Sequence, residues 1–164
     1  MSSGTGTITI EGNVATLTFN RWLPYPPERV WSAITDPGKR AEWFGPTSLE
    51  PKEGGFIETT AEGPPAPVEV RRTKGRIRVW QPPNVFEYEE ESPNVGHTII
   101  RFELEADGAG TKLRFVQSGL NPDDASGYAP GWHVYLDRLE AFLEGASLPQ
   151  WSERYGMIQH EYQA

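Results

Sequence analysis

Wound at about 100° per residue, residues 128–145 bring Tyr128, Trp132, Tyr135, Leu136, Leu139, Phe142 and Leu143 into one arc. His133, Asp137, Glu140 and Glu144 fall on a neighbouring polar arc. One long helix with a broad, aromatic-rich face must bury that face against something apolar, and this requirement constrains the chain more than any other feature.

The partner is legible upstream. Between residues 54 and 119 the chain breaks into short segments of β character separated by Gly and Pro turns: 56–61, 68–80, 85–91, 95–106 and 111–118. Gly75 inside the second segment reads as a bulge or bend. Period-two alternation turns Phe86 and Tyr88, then Thr98, Ile100, Phe102 and Leu104, then Leu113, Phe115 and Gln117 to one face. An earlier strand is expected over 13–23, where Ala15, Leu17 and Phe19 alternate with polar residues. Two short helices follow it. The first opens at Pro27 and carries Val30, Trp31 and Ile34 on its apolar side. The second opens with an Asp36-Pro37 cap and ends near Trp43-Phe44, before Gly45-Pro46. Residues 1–12 read as a flexible arm, 13–146 as one domain, 119–127 as a loop, and 147–164 as a C-terminal extension with a turn or two of helix. The expected class is α+β: a curved antiparallel sheet gripping a long C-terminal helix.

The chain of 164 residues has a formal charge of −8 and no Cys. The first excludes the basic patch that nucleic acid or an anionic membrane would require. The second excludes disulfides, thiolate metal sites and thiol nucleophiles. There is no secretory signal at the N-terminus and no apolar run near the ~20 residues of a membrane span, so a cytoplasmic protein without membrane insertion is expected. Phosphate-binding, dinucleotide-binding, nucleophile-elbow and zinc-protease motifs are all missing. His97, His133 and His160 stand far apart, His133 on the polar arc, so no metal site is expected. Asp123-Asp124 reads as an acidic pair leading into a helix. No cofactor and no catalytic residue is assigned.

Sheet and helix leave either a packed core or a cavity between them. If a cavity, its wall comprises Tyr88, Glu90, Ile100, Phe102, Phe115 and Gln117 from the sheet and Trp132, Tyr135, Leu136 and Leu139 from the helix. Glu90 and Gln117 are the telling members, because polar groups on an apolar face need a partner, water or a ligand.

The order of elements and several local motifs resemble the bacterial AHSA-type family of the START-like (SRPBCC) superfamily, whose fold is the helix grip. The motifs are RWLPYPPERVW at 21–31, Thr35-Asp36-Pro37, Glu42-Trp43-Phe44-Gly45-Pro46, Gly54-Gly55, Gly75 with Pro82-Pro83, Gly110-Thr111-Lys112-Leu113, Gln117-Ser118-Gly119-Leu120 and Gly131-Trp132. The resemblance covers roughly residues 14–146. It implies a deep apolar cavity and a small hydrophobic or amphipathic ligand, without a shared catalytic signature. Two other classes stay open. One is a cyclase/dehydratase-like or hydrolase-like enzyme using Glu90, Tyr88 and Gln117. The other is a protein-interaction or chaperone-linked module, with a homodimer built on the 147–164 extension.

Overall fold

The computed structural model describes residues 4–93 and 96–162. The first three residues of the expected arm, the expected strand start at residue 95 and the last two residues of the extension lie outside them. Eight strands form one antiparallel sheet: β1 (Thr7–Glu11), β2 (Val14–Leu23), β3 (Thr47–Leu49), β4 (Phe56–Thr60), β5 (Arg72–Gln81), β6 (Val85–Ser92), β7 (Gly96–Asp107) and β8 (Gly110–Leu120). Their order is β1-β2-β8-β7-β6-β5-β4-β3. Helices α1 (Pro27–Thr35) and α2 (Pro37–Trp43) leave the sheet after β2, and a single turn, α3 (Val68–Arg71), precedes β5. Helix α4 (Pro122–Glu144) crosses the concave face, followed by α5 (Trp151–Ile158) and a 3-10 turn (Gln159–Tyr162).

Local chemistry accounts for the boundaries. The Asp36 side chain accepts a hydrogen bond from the Lys39 amide, capping α2. Asn121 does the same for α4 through the Asp123 amide, with Pro122 in the first turn, and Gly145 ends that helix at φ 78°. The register sets Phe86 opposite Phe102 and Phe102 opposite Phe115, so the inward rows meet across three strands. Helix α4 closes over them, with the Trp132 ring 4.3 Å from that of Phe115.

Several expectations give way here. Residues Thr7–Glu11 are an edge strand paired with β2, because alternating Thr and Ile suit a sheet edge better than a free arm. Helix α4 begins six residues earlier than 128: Ser126-Gly127 and Pro130 look like breakers, yet the Asn121 cap starts the helix before them. Pro67 starts a helical turn where a continuous strand was expected, and β3 was not foreseen. The bulge in β5 falls between Ile77 and Val79, not at Gly75. Gly75 instead allows close approach: a Cβ there would lie 1.8 Å from the Glu89 carbonyl oxygen. His133 is buried, not solvated; its Nδ1 lies 2.7 Å from the Tyr162 hydroxyl.

The extension is held against the domain. Asp137 on α4 pairs with Arg21 of β2 at 2.7 Å and with Arg154 of α5 at 3.0 Å. Arg138 donates to the carbonyls of Trp43 (2.9 Å) and Pro149 (2.6 Å), tying α4 to α2 and to the segment before α5. Among the described residues, no helix is long and apolar enough to cross a membrane.

Candidate functional site

Beneath the middle of α4 the interior is filled. Phe86, Ile100, Phe102, Phe115, Leu136 and Leu139 are completely buried. Toward the N-terminal half of α4 the packing opens into a cavity of about 580 Å³. One wall is α4 itself, where Tyr128, Trp132 and Tyr135 alternate with Gly127 and Gly131. The glycines create the space: a Cβ at Gly127 would meet nothing within 4 Å, and one at Gly131 would meet only the edge of Trp151, at 3.4 Å. Trp151 and Tyr155 of α5 form a second wall, their rings stacked at 4.8 Å. Phe44, at the end of α2, lies 4.6 Å from the Tyr135 ring and stacks on Trp132 at 5.4 Å.

The third wall is the segment from Ala61 to Arg71, rich in proline. Arg71 fixes its shape by donating to the carbonyls of Ala66 (2.7 Å) and Ala61 (2.6 Å). The Gly63 amide donates to the Tyr135 hydroxyl at 3.0 Å. Gly63 also lies flat against Trp151, since a Cβ at that position would fall 2.2 Å from the indole. The segment, the long helix and the extension therefore interlock at one residue.

The floor is polar. Thr59 of β4 and Thr73 of β5 share a hydrogen bond of 2.7 Å, and Thr73 Oγ1 donates to Oε2 of Glu90 on β6 at 3.4 Å. With Thr59 donating to Thr73, the hydroxyls form a short chain ending on the carboxylate. Burial pushes the Glu90 carboxyl up to about 7, against the pull of the Arg40 guanidinium and the Thr73 hydroxyl. Arg40 is fully buried behind this floor. It donates to Thr47 Oγ1 (3.2 Å), the Ile34 carbonyl (3.0 Å) and the Tyr88 hydroxyl (3.4 Å), and lies over the Phe44 ring at 5.0 Å. Burial also pushes the Tyr88 phenol up to about 12, Arg40 opposing and Glu90 reinforcing the shift. Tyr128 is raised by burial and then by the charge of Glu90.

Of the residues expected on the wall, Glu90, Trp132 and Tyr135 line the cavity. Tyr88 lies behind Glu90 with its hydroxyl toward Arg40. Ile100, Phe102, Phe115, Leu136 and Leu139 belong to the filled core, because the large rings meeting there leave no space. Gln117 is buried beside Thr98 at 3.2 Å, and its Oε1 has no partner among the described residues. It does not line the cavity. Sequence reasoning missed Thr59, Thr73, the 61–71 wall and the two glycines. The usable signals were the Gly63-Pro64-Pro65-Ala66-Pro67 run and the four-residue spacing of Gly127 and Gly131, which leaves one patch of the helix bare.

A separate hollow of about 690 Å³ lies at the strand ends, lined by exposed Glu58, Lys74, Glu91 and His97 and sharing Thr59 and Thr73 with the first. Its wall lacks the aromatic faces of the other. No group of three or more His, Asp or Glu side chains among the described residues could hold a metal ion.

A family model described as Activator of Hsp90 ATPase homolog 1-like protein matches residues 24–144. No curated protein sequence matches. Among solved structures, the solution structure of CalU16 from Micromonospora echinospora is similar at 22% identity and TM-score 0.74, covering 98% of this chain and 92% of that one. The crystal structure of CalU16 gives 20% identity and TM-score 0.73, with 96% and 92% covered. Protein MLL2253 from Mesorhizobium loti is 25% identical at TM-score 0.69, with 81% and 99% covered. At the identities of the CalU16 pair the likeness establishes the helix-grip fold.

Proposed function

We propose that this chain, which belongs to the Activator of Hsp90 ATPase homolog 1-like family, binds a small amphipathic molecule in the cavity between α4, α5 and the end of the sheet. The carrying observation is the composition of the wall: aromatic rings from α4, α5 and Phe44, and a single acidic group, Glu90, on a hydroxyl-lined floor. Small-molecule sites have this form, an apolar concavity with a few convergent polar groups. The volume suits a ligand of two or three rings. The apolar body would lie among Trp132, Tyr128 and Trp151, and its polar end would meet Glu90. An enzymatic reading would rest on Glu90 alone as the proton-transfer group, since Tyr88 and Gln117 do not line the cavity.

The test uses N-phenyl-1-naphthylamine, whose fluorescence rises on burial. The wild-type protein is expected to give a saturable, one-to-one signal. Gly127→Leu, alone and combined with Gly131→Leu, fills the bare helix patch, raises helix propensity, and is expected to abolish the signal while the protein stays folded by circular dichroism. Absence of a signal in the wild type, or a signal that survives in the folded variants, would contradict the proposal.

A further inference from the structure

The Glu90 carboxylate has one hydrogen bond among the described residues, the 3.4 Å contact from Thr73, and no ion-pair partner among them. It faces a space walled mostly by rings. A carboxylate so placed is under-satisfied: burial penalises its charge, and one long bond compensates little. Resting on the cavity-binding reading, we propose that the ligand is an organic cation, a cyclic or aromatic amine. Its ammonium group pairs with Glu90 and its ring system lies against Trp132, Tyr128 and Tyr135.

Three features separate this class from its alternatives. A protonated amine supplies a cation in direct contact and N–H donors, neither of which Glu90 has, making the stronger, charge-assisted kind of hydrogen bond. The surrounding aromatic faces attract a cation through their quadrupoles and offer nothing comparable to an anion. The other charged group on the wall, Arg71, is already engaged with two backbone carbonyls and lies 3.9 Å from Glu62, so it does not offer a free anion site. Arg40 sits behind Tyr88 and Phe44, off the wall, and from there it favours an ionised Glu90. The net charge of −8 adds a long-range bias toward cations.

Calorimetric titration at pH 8 with three naphthalenes of equal size and different charge tests the inference: 1-naphthylmethylamine, 1-naphthalenemethanol and 1-naphthoate. The amine is expected to bind at least about tenfold tighter than the alcohol, the equivalent of one charge-assisted hydrogen bond. The carboxylate should bind weakest. Glu90→Gln should lower the amine's affinity at least about tenfold, to near that of the alcohol, and change the alcohol's much less. A pH series provides a second readout. Glu90 is faced by Arg40 from α2, Thr73 from β5, Tyr88 on its own strand and Tyr128 from α4. Amine affinity should rise between about pH 6 and 8 as the carboxyl ionises. The inference falls if alcohol and amine bind alike, if the carboxylate binds tightest, or if Glu90→Gln keeps the amine preference. Any of these, with binding still lost in Gly127→Leu, leaves the cavity reading standing. Failure of all three compounds and of N-phenyl-1-naphthylamine overturns both.

Discussion

Thr73 reaches Glu90 with a hydrogen bond of 3.4 Å, while the same hydroxyl lies 2.7 Å from Thr59. The tighter bond joins the two threonines and the looser one holds the acid. Glu90 is thus the least satisfied member of the floor, and burial raises its proton affinity against little opposition from that bond.

Glu90 retains its proton up to about pH 7, whereas an ordinary glutamate loses it near 4.5. Across that interval the folded chain binds more protons than the unfolded one, so stability falls as pH rises and levels off above about 7. Glu90→Gln should therefore stabilise the unliganded protein at pH 8, by on the order of 1–2 kcal/mol given contact with the cavity, and change little at pH 4.5. Urea denaturation at the two pH values checks this; equal effects at both would contradict it.

Gly63 touches Trp151 so closely that any side chain must displace the indole. Gly63→Ala is expected to loosen α5, raising amide exchange across Trp151–Ile158 while β6 to β8 stay protected. Unchanged exchange in α5 would mean that other contacts, among them those of Arg154, Arg138 and Tyr162, hold the extension without the fit of Gly63 to Trp151.

Tyr162 links three parts of the chain. Its hydroxyl accepts from the Gly6 amide at 2.7 Å and lies 2.7 Å from His133 Nδ1, a ring whose pKa burial lowers. With His133 neutral, the tyrosine donates to it. Tyr162→Phe removes both bonds and should cost about 1–3 kcal/mol, the penalty of stranding buried polar groups. Thermal denaturation and faster exchange of the Gly6 amide report it.

Gly75 admits no side chain, because its Cβ would lie 1.8 Å from the Glu89 carbonyl. Gly75→Ala must separate β5 from β6 locally and displace the neighbouring Glu90. The expected outcome is a loss of several degrees in Tm together with weaker N-phenyl-1-naphthylamine binding. A variant as stable as wild type would show that the two strands can slide apart without penalty.

The inward rows of β6, β7 and β8 and the buried arc of α4 were legible because each repeats a simple period over many residues. Glu90 was legible for the same reason, two steps beyond Tyr88. The location of the cavity was not. Whether Phe102 and Phe115 line a space or fill it depends on rings from different elements meeting, and no local pattern encodes that. His133 was misread by the same limit: its arc is polar by sequence, but Tyr162 and Phe19 cover it in the fold. Trp151 and Tyr155 stood out as aromatics in a tail, while their position on the wall depends on ion pairs made by Asp137 and on the missing side chain of Gly63.

The most direct test of the cavity is a proton–nitrogen correlation spectrum of the six tryptophan indoles during titration with 1-naphthylmethylamine. Trp132 and Trp151 line the cavity, Trp31 and Trp80 pack together elsewhere at 5.1 Å, and Trp22 is exposed on β2. Binding in the cavity predicts that the Trp132 and Trp151 signals move with saturation while those of Trp22, Trp31 and Trp80 stay in place. Movement of Trp22 or of the Trp31–Trp80 pair instead, or of no indole at all, would contradict it.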